Sequence, residues 1–144
     1  MTERNQQSGF TLIEITAVLF LIALIVALVG PNILNSLERG KAKAAGTQIA
    51  YLESILDDYY LNNKCYPTTE QGLQALSVKP TAPPVPETWD APYAKKPIGK
   101  DPWSMDYVYK CPGERRTESY DLYSYGADKA DGGSGLDADI WVGQ

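Results

Sequence analysis

The chain has 144 residues, enough for one domain of ordinary size, and its net charge is −5. An acidic chain of this kind is a poor ligand for nucleic acid, so we expect no nucleic-acid partner. It contains no histidine, which removes the commonest general base and metal ligand at neutral pH.

The first predicted element is an apolar helix near the N-terminus, from Phe10 to Val29, in which Glu14 is the only charged residue. At about 1.5 Å per helical residue, its length matches the hydrocarbon core of a bilayer. An ionised carboxylate in that environment is costly unless it finds a partner. Glu14 therefore predicts a specific pairing inside the membrane or inside an assembly.

Three interpretations compete for residues 1–30. A secretory signal peptide has a shorter apolar core after a basic leader, whereas Met1–Ser8 carries no net side-chain charge. A plain transmembrane anchor explains the length but not Glu14. In the third interpretation, the polar leader ending in Gly9 and the following Phe10-Thr-Leu-Ile-Glu14 resemble the cleavage signature of type IV pilins and pseudopilins. This resemblance implies that a prepilin peptidase cuts between Gly9 and Phe10 and methylates the new amine of Phe10.

Cleavage at this point would place a cationic amine on Phe10, close to the carboxylate of Glu14. In hydrocarbon each charge is costly alone and tolerable as a pair. We therefore predict that Glu14 of one subunit pairs with the Phe10 amine of a neighbour and sets the register of assembly. The positive-inside rule applied to Arg39, Lys41 and Lys43 would by itself place the following domain in the cytosol. The cleavage signature is more specific, and the resemblance implies that the domain lies in the periplasm.

Helical periodicity continues beyond the apolar segment. Gly30-Pro31 interrupts the run, and a proline in a helix interior removes a backbone hydrogen bond, so a kink or local unwinding is expected there. Asn62-Asn63 is typical of a helix C-terminus. The pattern predicts one helix from about Phe10 to about Leu61, whose second half packs on a globular domain. The predicted apolar face comprises Ile33, Leu34, Leu37, Ile49, Leu52, Leu56, Tyr59 and Tyr60.

The next segments predict a short helix and a long loop. Thr68 and Gln71 have the spacing of a capping box, which predicts a short helix directly after them. The stretch from Lys79 to Trp103 holds seven of the ten prolines, so it cannot be a central strand or a long helix. Its Trp89 and Tyr93 favour partial packing on the domain, because disordered segments are usually poor in aromatic residues.

Three short strands are predicted late in the chain, where aromatic and β-branched residues concentrate. They are Tyr107–Cys111, Tyr120–Ser124 and Ile140–Val142, with a turn at Pro112–Arg116 between the first two. The predicted fold class is therefore α+β, with a long helix packed on a small antiparallel sheet.

Several sequence blocks sharpen the resemblance to one family. The blocks are Tyr66-Pro-Thr-Thr-Glu-Gln-Gly-Leu73, Lys79-Pro-Thr81, Asp101-Pro-Trp103, Tyr120-Asp-Leu122, Gly126-Ala-Asp128 and Asp137-Ala-Asp-Ile140. Together they are similar to the major pseudopilins of type II secretion systems, which have the pilin-like α+β fold. The resemblance implies a leader at residues 1–9, a transmembrane and filament-core helix at 10–30, and a periplasmic domain at 31–144.

This resemblance also implies a function and partners. The subunit would be a single-pass protein of the bacterial inner membrane that polymerises with copies of itself into a periplasmic filament, the pseudopilus, which drives export of folded proteins. Expected partners are the prepilin peptidase, minor pseudopilins and an inner-membrane assembly platform.

Two alternatives stay open. The first is a type IV pilin or minor pilin for adhesion, motility or DNA uptake, and the second is a membrane-anchored calcium-dependent binding module that never polymerises. The sequence has no catalytic motif, so we expect no enzyme.

The C-terminal segment 117–144 is a candidate cation site, since it carries six acidic residues and only one basic residue. Its spacing does not fit an EF-hand, and from the residues alone the segment is either a solvated acidic loop or a calcium site. The resemblance implies Ca²⁺ binding in this loop. The implied ligands are the side chains of Asp128, Asp137 and Asp139 and backbone oxygens near Leu122 and Tyr125, with Asp131 as a weaker candidate.

The two cysteines, Cys65 and Cys111, lie 46 positions apart and form no CxxC pair, so a zinc site is not expected. If the domain lies outside the cytosol, a disulfide between them is the natural interpretation, and two buried free thiols are the alternative. Cysteines are not typical of the resembled family at these positions, which suggests a disulfide particular to a subgroup.

Overall fold

The computed structural model describes residues 9–89 and 92–141. It contains one long helix, two 3₁₀ helices and three strands, which confirms the predicted α+β class. The chain separates after Leu37 into two units, which are described in turn. Residues 1–8 of the predicted leader and Val142 of the predicted third strand lie outside the described residues. In order, the elements are α1 (Leu12–Asn63), the first 3₁₀ helix (Leu73–Leu76), β1 (Val108–Lys110), β2 (Asp121–Ser124), the second 3₁₀ helix (Gly135–Asp137) and β3 (Ile140–Trp141).

In the N-terminal unit, α1 begins at Leu12 rather than at Phe10. The helix continues through Pro31, so the local unwinding expected at Gly30-Pro31 is not observed. The helix is long and apolar enough to cross a membrane, and its large apolar side chains are exposed. The exposed set includes three residues of the predicted apolar face, namely Ile33, Leu34 and Leu37, which belong to this unit.

In the second unit, α1 packs one face into the core. Ile49, Leu52, Leu56 and Tyr59 are buried as predicted. Tyr60 is not, because its side chain lies beside the face and its ring stacks on that of Tyr66 with centroids 4.7 Å apart. The buried stripe also includes Ala45 and Ile55, at the helical spacing that a single apolar face requires.

The end of the helix and the following turn agree with their sequence signals. The helix ends at Asn63, whose side-chain Nδ2 donates to the carbonyl oxygen of Tyr59 at 2.9 Å. Lys64 follows in the left-handed region with φ 60°. The capping box forms with both of its bonds, since Gln71 Oε1 accepts from Thr68 N at 3.0 Å and Thr68 Oγ1 accepts from Gln71 N at 3.2 Å. It leads into a single 3₁₀ turn rather than an α-helix.

The three strands form one antiparallel sheet in the order β1-β2-β3. The central strand β2 is buried at all four positions, and its Leu122 lies opposite Tyr109 of β1. Tyr109 also donates its hydroxyl to the carbonyl oxygen of Pro67 at 2.7 Å, which ties the sheet to the turn after the helix. The strands are shorter than predicted, and Tyr107, Cys111 and Tyr120 fall outside them.

The proline-rich loop has neither helix nor strand in its described parts, residues 79–89 and 92–103. It nevertheless packs on the core as predicted. The ring of Tyr93 lies 5.1 Å from that of Tyr59, and its hydroxyl accepts from Asn63 Nδ2 at 3.0 Å. Trp89 Nε1 donates to the carbonyl oxygen of Ala75 at 3.4 Å.

Candidate functional site

The first candidate site is the start of the apolar helix. Gly9 and Phe10 are exposed, so the predicted cleavage point is accessible. Glu14 Oε2 accepts hydrogen bonds from Thr11 N at 2.8 Å and from Thr11 Oγ1 at 3.1 Å. Thr11 Oγ1 in turn accepts from Glu14 N at 3.3 Å, which completes a capping box at the helix N-terminus.

This box gives Glu14 a role inside its own chain that the sequence analysis missed. The Thr-x-x-Glu spacing of Thr11 and Glu14 was the signal that could have revealed it. The box fixes the start of α1 and holds the carboxylate of Glu14 against Thr11, the residue after Phe10. The predicted pairing of Glu14 with the Phe10 amine of a neighbour stays a prediction.

The second candidate site is the acidic loop, residues 125–139, which follows β2. Ser124 Oγ accepts from Gly126 N at 3.1 Å and holds the start of the loop. Asp128 Oδ1 accepts from Ala130 N at 3.1 Å. At the other end, Asp139 Oδ2 accepts from Gly132 N at 3.1 Å, so the loop closes on itself.

Gly133 lies where the ends of the loop meet. Its φ is 75°, and a Cβ at this position would collide with the carbonyl oxygen of Asp137 and lie 3.2 Å from Asp128 Oδ2. Only glycine tolerates this combination of positive φ and close backbone approach. The carboxylates of Asp128 and Asp139 and the carbonyl of Asp137 therefore all surround the dipeptide Gly132-Gly133.

The structure brings only part of the predicted ligand set together. Across residues 9–89 and 92–141, no three side chains of His, Cys, Asp or Glu are grouped closely enough to hold a metal ion. Asp128 and Asp139 accept hydrogen bonds from backbone N–H groups of the loop, but only Asp139 is buried, whereas Asp128, Asp131 and Asp137 are exposed. Leu122 lies within β2 and Tyr125 directly follows it.

One observation favours a cation here. Asp139 is buried, and its Oδ1 has no hydrogen-bond partner among the described residues. A buried carboxylate oxygen without a partner is costly, and a hard cation would satisfy it. The unpartnered Oδ1 of Asp139 thus fits a cation ligand, although no cluster of three acidic side chains surrounds it among the described residues. Calcium binding itself stays a prediction.

The two cysteines are half-buried and carry free thiols in the structure, and the disulfide between them stays a prediction. Burial raises the pKa of the Cys111 thiol, and the nearby Cys65 raises it further. The backbone of Cys111 is held by Thr69, whose Oγ1 accepts from Cys111 N at 2.8 Å and donates to its carbonyl oxygen at 3.0 Å.

A buried carboxylate beneath the acidic loop was missed by the sequence analysis. Asp101 Oδ1 accepts from Trp103 N at 3.0 Å and Met105 N at 2.8 Å, and Asp101 Oδ2 accepts from Ser124 Oγ at 2.6 Å. Because Ser124 also holds Gly126, Asp101 supports the start of the acidic loop. The Asp-Pro pair at Asp101 was a turn signal, but its long-range partner could not be read from spacing.

Comparison with known proteins identifies the family. The family model described as type II secretion system protein G matches residues 32–143. The chain belongs to the type II secretion system protein G family. A second family model, the prokaryotic N-terminal methylation motif, matches residues 4–30 and covers the apolar helix and its leader.

Relatives of the protein G family cover nearly the whole chain. The chain is 44% identical to the type II secretion system core protein G of Pseudomonas aeruginosa, over 96% of both chains. It is 41% identical to core protein G of Vibrio cholerae, over 97% of this chain and 94% of that relative. The crystal structure of the major pseudopilin from the type II secretion system of enterohaemorrhagic Escherichia coli matches with a TM-score of 0.64 and 35% identity, over 76% of this chain and 92% of that one. The resemblance to major pseudopilins is thereby confirmed, and the type IV pilin alternative is not favoured.

Proposed function

We propose that this chain is the major subunit of a type II secretion pseudopilus. A precursor anchored in the inner membrane is cleaved after Gly9 and methylated on Phe10, and the mature subunits polymerise into a periplasmic filament that drives export of folded proteins. The observation that carries the proposal is the exposed apolar surface of α1 from Leu12 to Leu37. Such a surface needs lipid before assembly and neighbouring helices after it.

The chemistry of assembly centres on Glu14. The box with Thr11 holds the carboxylate at the helix N-terminus, where the helix dipole stabilises an anion. A subunit arriving from lipid would replace a costly lone charge by an ion pair between its Glu14 and the Phe10 amine of a neighbour. The pair would set the axial register, while the apolar side chains of α1 supply the contact area.

This assembly requires partners that act on the membrane-bound subunit. A prepilin peptidase would cut and methylate the precursor, and minor pseudopilins with an inner-membrane assembly platform would start and extend the filament. The subunit does mechanical work and carries no catalytic role. The family and the membrane-spanning length of α1 support an inner-membrane anchor. The domain of residues 31–144 would then lie in the periplasm.

Replacement of Glu14 tests the assembly mechanism. Glu14→Ala should leave the subunit in the membrane fraction but reduce sheared filaments by about tenfold or more, because the interhelical ion pair is lost. Thr16→Ala is the matched control, since it removes a local hydrogen bond to the Ile13 carbonyl without changing charge. Normal filament yield in the Glu14 variant would contradict the mechanism, and an N-terminus other than methylated Phe10 on the mature protein would contradict the processing step.

We also propose that the acidic loop binds Ca²⁺ and that the ion orders the loop against the sheet. The residues that support this are Asp139, with its unpartnered buried Oδ1, together with Asp128 and the carbonyl oxygen of Asp137. An ion bound only by the folded state raises stability by mass action. The melting temperature of the full chain in detergent should therefore rise in Ca²⁺ relative to chelator.

The variants that test this cation site are Asp139→Asn and Asp128→Asn. Both should abolish the rise in melting temperature with Ca²⁺, and Glu118→Gln, at an exposed acid outside the loop, should retain it. An equal loss of stability in Ca²⁺ and in chelator would assign Asp139 a purely structural role.

A further inference from the structure

Cys65 and Cys111 lie just after the ends of two elements of the second unit. Cys65 follows the left-handed residue Lys64, at which the chain leaves α1, and Cys111 directly follows β1. Both side chains are half-buried, and both thiols are free in the structure. Neither cysteine takes part in the proposed assembly contact or in the proposed cation site, so their presence has a separate explanation.

Hydrogen bonds hold the two cysteine-bearing segments side by side. Thr69 Oγ1 accepts from Cys111 N at 2.8 Å and donates to the Cys111 carbonyl oxygen at 3.0 Å. Closer to Cys65 in the sequence, the carbonyl oxygen of Pro67 accepts from the Tyr109 hydroxyl at 2.7 Å. The segment that starts at Cys65 is therefore held against the end of β1 without any bond between the two cysteines.

The thiols of the two cysteines lie near each other and near the hydroxyls of two buried tyrosines, Tyr59 and Tyr109. Burial raises the pKa of the Cys111 thiol, its hydrogen bond with Tyr109 lowers it, and the charge of Cys65 raises it. Burial and the nearby Cys65 also raise the pKa of Tyr59 to about 12. A thiolate is unfavourable in such surroundings, whereas a disulfide has no charge and is not penalised by burial.

We propose that Cys65 and Cys111 form a disulfide in an oxidising compartment and that this bond closes the proline-rich loop into a covalent ring. The ring runs from the end of α1 to the end of β1 and contains the loop, whose described parts have neither helix nor strand. Closing so long a loop restricts the unfolded chain, so the bond stabilises the domain. The inference rests on the proposed periplasmic location, because disulfides persist in the periplasm and are rare in the cytosol.

The oxidant for this bond is a protein disulfide or a small-molecule disulfide of the same compartment. The thiolate of one cysteine attacks a sulfur of the oxidant, which releases one thiol and leaves a mixed disulfide. The thiolate of the second cysteine then attacks the mixed disulfide, forms the bond between Cys65 and Cys111, and releases the second thiol. Two protons and two electrons thus pass from the cysteines to the oxidant. Because burial raises the pKa of Cys111, we expect Cys65 to attack first.

Oxidation of the purified chain tests the pairing itself. The full chain in detergent is reduced, incubated with oxidised glutathione, alkylated, and digested for mass spectrometry without reductant. A peptide that joins Cys65 to Cys111 should be the main product. The single variants Cys65→Ala and Cys111→Ala should instead retain glutathione on the cysteine that remains. Glutathione on both cysteines of the unmodified chain, or links between subunits only, would overturn the inference.

The second experiment maps the bond in the chain as cells make it. Free thiols are blocked with an alkylating agent before lysis, and the peptides are then analysed in the same way. The peptide that joins Cys65 to Cys111 should predominate, and it should be lost in a strain without its periplasmic disulfide-forming system. Protease treatment of spheroplasts reports the location of the domain separately. A protected domain would contradict the proposed function, whereas free thiols in an accessible domain would overturn the disulfide inference alone.

The melting temperature measures what the bond contributes. Reductant should lower the melting temperature of the oxidised full chain in detergent by about 5 °C or more, because the unfolded chain regains its freedom. The double variant Cys65→Ala, Cys111→Ala is the matched control, and reductant should leave its melting temperature unchanged. Both measurements are made in chelator, so that the proposed cation site does not contribute. Equal melting temperatures of the oxidised and reduced chains would show that the bond does not stabilise the domain.

Discussion

Asp121 at the start of β2 organises the turn before it. Its carboxylate accepts hydrogen bonds from the backbone N–H groups of Glu114, Arg115 and Arg116 at 2.7, 2.9 and 3.2 Å. A Cβ on Gly113 would lie 2.7 Å from Asp121 Oδ1. Only glycine at this position therefore leaves room for the Asp121 carboxylate. Burial by itself raises the pKa of Asp121, but the three N–H groups, with the charge of Arg115, outweigh it and lower the pKa below its usual range.

Replacing Asp121 by Asn should destabilise the domain. The variant keeps the size of the side chain but weakens three charge-assisted bonds, at an expected cost of about 1–3 kcal/mol in the free energy of unfolding at neutral pH. Urea unfolding of the full chain in detergent measures this difference. Asp106→Asn, at an exposed aspartate, should change the free energy by less than about 0.5 kcal/mol.

The stability difference between the unmodified chain and Asp121→Asn should also depend on pH. Because the folded pKa of Asp121 lies below the unfolded value of about 3.9, its stabilisation is complete above that pH. The stabilisation is lost as the pH falls through the folded pKa, where the carboxylate takes up a proton. The difference in unfolding free energy between the unmodified chain and Asp121→Asn should therefore shrink below about pH 4. A difference that is constant from pH 6 to pH 2 would contradict the role of the charge.

At the scale of elements, the proline-rich loop is fixed to α1 by an indole hydrogen bond. Trp103 Nε1 donates to Glu38 Oε2 at 2.7 Å, while Lys41 Nζ pairs with Glu38 Oε1 at 2.8 Å. The hydrogen bond from Lys41 and then that from Trp103 lower the pKa of Glu38. The bond between Trp103 and Glu38 joins residues 65 positions apart in the sequence, and Asp101 joins the same loop to β2.

Trp103→Phe should weaken the attachment of the proline-rich loop to α1 without leaving a large cavity in the core. The ring remains to pack, but the bond to Glu38 is lost, so amide hydrogen exchange in residues 101–105 should accelerate by about tenfold. Trp89→Phe is the matched control, because its indole makes a longer bond of 3.4 Å to a backbone carbonyl. Equal exchange in the two variants would show that Trp103 contributes only its ring.

The elements differ in how far the sequence could predict them. Periodicity predicted α1 and its buried stripe, because burial on one side leaves a regular pattern. Ile33, Leu34 and Leu37 have the same pattern but are exposed, since periodicity does not show what covers an apolar face. The capping box at Thr68 was predicted with both bonds because its signal is local, yet the helix after it is only one 3₁₀ turn.

The acidic loop could also be predicted only in part from the sequence. Its acidic composition and its position after β2 could be predicted. The sequence could not show that Asp139 turns inward to Gly132 while Asp137 stays exposed, because backbone conformation at Gly132 and Gly133 decides the direction of each carboxylate. Likewise, only the fold reveals that Asp101 reaches Ser124.

At the scale of the whole molecule, the two units have different roles. The unit up to Leu37 offers an apolar helix with one carboxylate and a capping threonine at its start. The unit from Glu38 onward encloses its own core and carries the acidic loop. This division suits a subunit that is stored in a membrane and then assembled through its helix, with the folded domain arranged around the filament.

The most direct test of this account is the secretion phenotype of a strain from which the gene is deleted. Folded exoproteins should accumulate in the periplasm and largely disappear from the medium, because the filament that drives their export is missing. A plasmid copy of the unmodified gene should restore secretion, and a copy with Glu14→Ala should not. Unchanged secretion in the deletion strain, together with loss of twitching or of DNA uptake, would contradict the account and assign the chain to a type IV pilus.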